Sequence, residues 1–395
     1  MKIGRTVIAL MLCAALLAGL SVTAAAQETE LDQLISETAN ALSSLGGEAG
    51  TLLADTELVI PGNSLSDWIA ITLAHCDVPE SYSRYLSGLK DYVETCYAES
   101  GGLDDVKATE YHRISLAVLS LGGDPTSFGV KPDGTPINLI ADGTYAFAGQ
   151  ELGLQGLNGW IWALIALDAS AAEVPSDARY TRQDMIDAIV GAQNRDGSFS
   201  LGGGSGDVDI TAMAVQALSP YYKEYKQPID NALTWLSYVM NSDGTYTYGD
   251  SVSSESLSQV ILALSALDFG VGDFQGFLRD GKNMYMTLKE FRCEDGMFCH
   301  ELGDEKSDAL ATVQALQALI SLRNHENGWV YIFGTRGPLS PPESNAAPAV
   351  SDRAGNGEPS EKDGTTRILW IGLTAEVVII AAVVVILLRR RKKHG

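Results

Sequence analysis

The chain has 395 residues, of which 50 are acidic and 27 basic, giving a formal charge of −23 at pH 7. So strong an acid excess argues against nucleic acid or an anionic membrane surface as the partner of the folded body.

In chain order, Lys2 and Arg5 precede an apolar run from Val7 to Leu20, which ends at Ala24-Ala25-Ala26. That pattern reads as a secretory signal peptide over residues 1–26. Residues 27–336 follow as the body. Within it a ten-residue pattern recurs six times: Asp67 to Cys76, Glu110 to Leu119, Asn158 to Leu167, Asp209 to Leu218, Glu255 to Leu264 and Ser307 to Leu316. Each copy opens on an acidic or small polar residue and runs into Ala, Leu, Ile and Val. The starts lie 43 to 52 residues apart, and one unit repeated at such a period is built by stacking or closing that unit.

Trp160 to Leu167 is apolar on nearly all sides, and a helix hydrophobic all round is buried. The segments Asp184 to Gln193, Ile229 to Met240 and Phe277 to Phe291 alternate apolar and polar residues at helical spacing, so each predicts a helix with one wet face. Both demands are met by an all-α fold with an inner ring of six buried helices inside an outer ring of six amphipathic ones, an α6/α6 toroid. Asp142-Gly-Thr-Tyr145, Asp196-Gly-Ser-Phe199, Asp243-Gly-Thr-Tyr246 and Asp295-Gly-Met-Phe298 are expected as tight turns closing the outer helices.

After the body, residues 337–366 are rich in Pro, Gly, Ser and Ala and read as a disordered linker. Residues 367–388 hold the stretch Ile368 to Leu388, which is apolar apart from Glu376 and long enough to span a bilayer. The basic tail of residues 389–395 then stays cytoplasmic and leaves the body outside. The expected protein is thus a single-pass cell-membrane protein with its body at the outer surface. Glu376 marks either a protonated carboxyl or a contact with another membrane protein.

These residues resemble the α/α-toroid superfamily of squalene and terpene cyclases, protein prenyltransferase β subunits and the intrinsic factor and transcobalamin-type carriers. The stretch Gln193-Asn-Arg-Asp-Gly197-Ser-Phe199 is similar to the cyclase repeat Q-x3-G-x-W, and Asp207-Val-Asp209-Ile-Thr-Ala to the cyclase acid motif D-x-D-D-T-A. The resemblance implies that Asp209 stands where a cyclase places its proton donor. Ile210 replaces the last Asp of that motif, so part of the acid's support is missing. The carriers share Val208, Asp209, Ala212, Met213 and Ala214 with this chain, which makes a corrinoid a possible ligand; no other cofactor is implied.

Asp209 has three readings: a helix cap, a polar rim touching a ligand, and a catalytic acid. Asp67, Asn158, Asp209 and Ser307 share the register of a cap. Asp207, Asp209, Glu255, Asp308, Asn158 and Trp160 are the candidate ligand-binding residues at the ring's mouth. Asp295, Cys299 and His300 carry zinc-type donors, but their order does not suit one tetrahedral ion, and no metal is expected. Cys76 with Cys96, and Cys293 with Cys299, are candidate disulfides for an exported chain. The functional expectation is binding of a small apolar or corrinoid-like molecule. A cyclase-like enzyme using Asp209 and a cell-envelope scaffold are the alternatives.

Overall fold

The computed structural model describes residues 29–49, 51–248, 251–269, 275–326 and 332–333. The expected signal peptide, linker, membrane span with Glu376, and basic tail lie outside the described residues. Among the described residues no helix is long and apolar enough to cross a membrane. The chain divides into two compact units, Met1–Leu34 and Ile35–Gly395. Helix α1 (Glu30–Ser43) runs across that division, and all six repeats belong to the second unit.

Each of the six repeats forms a helix: α2 (Ser64–Leu73), α4 (Ala108–Ser120), α6 (Asn158–Ala169), α8 (Val208–Leu218), α10 (Ser254–Ala266) and α12 (Ala309–Glu326). Consecutive members pack on one another, and α12 packs back on α2, so the six form a closed cycle of contacts. Their composition explains the enclosure. Ile161 and the run Ala163 to Leu167 on α6 are buried, as are all residues from Ser254 to Ser265 on α10. Fully burying one such Leu or Ile side chain is worth roughly 1.5–3 kcal/mol.

Between them lie α3 (Tyr82–Ser100), α5 (Leu139–Gly143), α7 (Arg182–Gly191), α9 (Lys226–Val239) and α11 (Met284–Lys289). Helix α9 buries Ile229, Ala232, Leu233 and Leu236, a single apolar stripe at helical spacing, and leaves its other face wet. Helix α7 opens on a capping box in which Thr181 and Asp184 satisfy each other's backbone amides. The helix expected over Phe277 to Phe291 is broken instead: a single turn at Gln275–Phe277 precedes the short α11. Asp280 and Gly281, both at positive φ, and the bridge between Arg279 and Lys282 interrupt it.

The Asp-Gly turns recur in one geometry. In Asp196-Gly197-Ser198 and Asp243-Gly244-Thr245 the glycine has φ near 90°, and the Asp Oδ1 accepts from both the amide and the hydroxyl two residues on. Asp295-Gly296-Met297 repeats the backbone part, with φ 85° at Gly296 and Oδ1 accepting from the Met297 amide. In the remaining unit the expectation fails. Asp142 and Gly143 belong to α5, and the equivalent turn sits at Asp133-Gly134-Thr135, with Gly134 at φ 83°. The aromatics Phe199, Tyr246 and Phe298 that follow three of the turns are wholly buried. Their carbonyls accept from the amides of Asp207, Ser253 and Asp308, the residues that start α8, α10 and α12. Each of these turns therefore delivers the cap of the next repeat helix to a fixed place.

Gly159, second in α6, shows how closely the loop before that helix is packed. A Cβ there would lie 1.8 Å from the Leu152 carbonyl oxygen. Gly159→Ala is expected to cost about 1–3 kcal/mol by overpacking. Thermal unfolding checks it, and an unchanged midpoint would show that the loop yields freely.

Candidate functional site

The expected shared cap register is corrected by the structure. The caps are Asn63 on α2, Asp207 on α8, Ser253 on α10 and Asp308 before α12, each with a side-chain oxygen accepting from a first-turn amide. Asp209 and Glu255 stand two residues inside their caps. Asp67 is four inside, Asn158 is the first helical residue of α6, and Ser307 precedes its cap, donating to Asp295 at 2.6 Å. Relative to their caps the copies therefore range from one residue before (Ser307) to four after (Asp67), because the loop before each helix, not the apolar run, sets where it begins.

Four of the candidate residues come together at the starts of α8, α10 and α12. Asp207 caps α8 through the Ile210 amide at 2.9 Å. Asp308 caps α12 through the Ala311 amide at 2.9 Å. Glu255 is buried, and one of its carboxylate oxygens accepts from Ser253 at 3.0 Å and Ser254 at 3.2 Å. Both Glu255 oxygens lie 2.9 Å from Nδ1 of His300. Asp209 differs from all of these. Its Oδ1 is sealed from solvent and has no hydrogen-bond partner among the described residues. The hydroxyl of Ser256, on a residue with no exposed surface, stands beside this carboxyl and acts on it as a weak donor that pulls its pKa down, although neither oxygen has a partner at full hydrogen-bond geometry.

The electrostatics follow from this crowding. Burial, then the charges of Asp207 and Glu255, push the Asp209 carboxyl up to about 7. Burial also raises Asp207 and Asp308, against the pull of the helix amides they cap. The hydrogen bond from His300 to Glu255 lifts the imidazole to about 8, against partial burial. NMR titration of His300 is expected to give a midpoint near 8 in the wild type and a fall to about 6.5 or below in Glu255→Gln. A wild-type midpoint of 6.5 would show that the pair is not formed in solution.

Asn158 and Trp160 begin α6, one helix round the cycle from Asp209. Trp160 packs edge-on against Tyr180, with ring centroids 5.2 Å apart, and the Asn158 Oδ1 is buried without a partner. Among the described residues no hydrogen bond or charge contact joins this pair to the acid group. Trp68 on α2 and Trp162 on α6 meet at 5.3 Å although α4 lies between their helices in the packing cycle. Phe333 closes a triangle with them, at 5.9 and 5.6 Å.

Two features had no signal in the sequence. The first is His300 as the partner of Glu255, 45 residues away. The second is a set of glutamine bonds between repeat helices, in which Gln216 donates to Gln259 at 2.9 Å, Gln259 to the half-buried Gln314 at 3.0 Å, and, separately, Gln317 to Thr72 at 2.9 Å. It links α8, α10, α12 and α2 through their enclosed faces.

The four cysteines among the described residues are free thiols, so neither candidate disulfide is formed. The Cys76 thiol donates to the Thr72 carbonyl at 3.3 Å, while Cys96 on α3 neighbours Tyr92. The Cys293 and Cys299 thiols touch each other across the Asp295-Gly296 turn. Among the described residues no three His, Cys, Asp or Glu side chains are grouped to hold a metal ion.

No protein-family model and no curated protein matches the sequence. Solved structures do resemble it. Protein geranylgeranyltransferase-I of Candida albicans, complexed with GGPP, is 13% identical over 76% of this chain and 94% of its own, with a TM-score of 0.49. A type II terpene cyclase from Scytonema is 14% identical over 74% of this chain and 99% of its own, with a TM-score of 0.47. A protein from Actinoplanes is 14% identical over 74% and 100%, with a TM-score of 0.43.

Proposed function

We propose that residues 27–336 form an α6/α6 toroid that binds a small apolar or corrinoid-like ligand at the mouth where α8, α10 and α12 begin. In this reading the signal peptide exports the body. The span Ile368 to Leu388 holds it at the outer cell surface, and Glu376 meets a second membrane helix. The observation that supports ligand binding is the Asp209 Oδ1, sealed from solvent with only the Ser256 hydroxyl beside it and no partner at full hydrogen-bond geometry. A buried polar group left unpaired costs about 1–3 kcal/mol, so its under-used capacity favours a site that something else completes.

Native mass spectrometry of the full-length protein, extracted from its own membrane, tests this reading. A small molecule retained by the wild type and lost in Ser256→Ala supports it. A bare wild-type mass overturns it.

A second reading has its own support. A carboxyl near pH 7 in an enclosed site can hold and deliver a proton, which suits Asp209 as the general acid of a cyclase-like reaction. That reading requires Asp209→Asn to abolish turnover without loss of fold.

A further inference from the structure

We infer that the ligand's polar end is a cationic amine, an alkylammonium-type head seated between Asp209 and Ser256. The inference rests on the ligand-binding reading above and names the chemical class of the ligand.

Hydrogen-bonding capacity is the first argument. Asp207 and Asp308 are committed to capping their helices, and Glu255 to His300, Ser253 and Ser254. That leaves the Asp209 Oδ1 and the Ser256 hydroxyl, the latter on a wholly buried residue, with nothing to meet but each other, and not at full hydrogen-bond geometry. An ammonium carries three N–H donors and can serve both oxygens at once.

Charge is the second argument. The groups that act on Asp209 are Asp207 from the start of its own helix and Glu255 and Ser256 from α10. Asp308 from α12 and the loop residues His300 and Glu301 act on Glu255 or on each other. Of these only His300 is basic, and it already lies against Glu255. Among the described residues no arginine acts on Asp209, Asp207 or Asp308, and Arg279 and Arg292 are engaged with the carbonyls of Ser237, Gly276 and Leu278 and with Glu37. A phosphate or carboxylate ligand would enter a field of carboxylates and be repelled. A cation would balance it.

Binding of such a cation is linked to protonation. Near neutral pH the Asp209 carboxyl is partly protonated, and an arriving ammonium favours its ionised form. Binding therefore releases part of a proton to the buffer.

Isothermal titration of the full-length protein in detergent, in two buffers of different ionisation enthalpy, provides the test. The probes are cyclohexylammonium, cyclohexanol and cyclohexanecarboxylate. The ammonium is expected to bind at least tenfold more tightly than the other two, with proton release. Asp209→Asn and Ser256→Ala are each expected to weaken it about tenfold, the scale of one hydrogen bond to a charged group. Ser256→Ala removes one enclosed oxygen and serves as the variant least disturbing to the fold, with circular dichroism as the check. Cyclohexanol binding as well as the ammonium, or unchanged ammonium binding in both variants, overturns the cationic class and leaves the ligand-binding reading standing. No probe binding also overturns the cationic class. The ligand-binding reading is decided separately by the native mass measurement, which uses no probe.

Discussion

Arg113→Leu is expected to lower the unfolding free energy by about 3–5 kcal/mol, because it strands a buried carboxylate. Asp67 has no exposed surface, and three donors hold its carboxyl: Arg113 Nε at 2.9 Å, the Tyr85 hydroxyl at 2.7 Å and the Gly62 amide at 3.1 Å. The Arg113 guanidinium also reaches Glu110 at 2.6 Å and the Gly62 carbonyl at 2.9 Å, so one side chain ties α2 to α4 and to the loop before α2. Burial already raises the Asp67 carboxyl above its usual range, and Arg113 is the strongest influence pulling it down.

Without that cation the carboxyl rises further and the folded chain favours the protonated acid. The loss should then grow as pH increases above the ordinary carboxylate range, and be smaller at pH 4 than at pH 8. Urea denaturation at the two pH values measures both effects. A loss under about 1 kcal/mol at pH 8 would show that the pair does not hold the two helices together.

Asp209→Asn is expected to act in the opposite direction, stabilising the protein by about 2–4 kcal/mol at pH 8 and by almost nothing at pH 4. The folded carboxyl, near 7, takes up a proton that the unfolded one, with its ordinary value of 3.8, has already released. The native state therefore binds the extra proton between those two values, and stability falls as pH rises through that window. Each unit of difference is worth about 1.4 kcal/mol, and asparagine removes the titration altogether. Paired urea curves of wild type and variant at pH 4 and 8 decide it. An equal effect at both pH values would mean that the carboxyl is not held in its neutral form by its surroundings. The gain in stability, set beside the loss of ligand binding proposed above, would mark Asp209 as a residue kept at a cost to the fold.

The inner helices were legible because each must be apolar on several faces, a demand that leaves a run such as Trp160 to Leu167 in any sequence. Where they begin was not. Asp308, not Ser307, caps the last of them, since the buried carbonyl of Phe298 fixes the Asp308 amide, and periodicity carries no record of that bond. The turn of the third unit was misplaced for a related reason. Asp133-Gly134-Thr135 and Asp142-Gly143-Thr144 are the same three letters, and the pairing of Val130 with Pro136, with the backbone bonds between Phe128 and Ile137 and between Lys131 and Thr135, separates the turn from the helix.

The acid residues of the candidate site stood out as charges at helix starts. Ser256 did not, because a serine within an apolar run looks the same whether its hydroxyl is satisfied or idle. His300 and the bonded glutamines were hidden by distance along the chain. Each pairs with a residue more than forty positions away.

The return of α12 onto α2 bears on how the chain assembles. Gln317 meets Thr72 and Arg323 meets the His75 carbonyl across 245 and 248 residues, whereas the other helix junctions of the cycle join repeats consecutive in the chain. Helix pairs can form as the chain lengthens, but the last junction waits for the final repeat. Until then α2 and α12 each expose an apolar flank that a second chain could cover. In a cycle, however, no junction is privileged. A permuted gene that links the segment after α12 to α1, keeping the residues before α2, and opens the chain in the exposed loop at residues 202–205 retains each junction of the cycle and turns the last closure into a more local one.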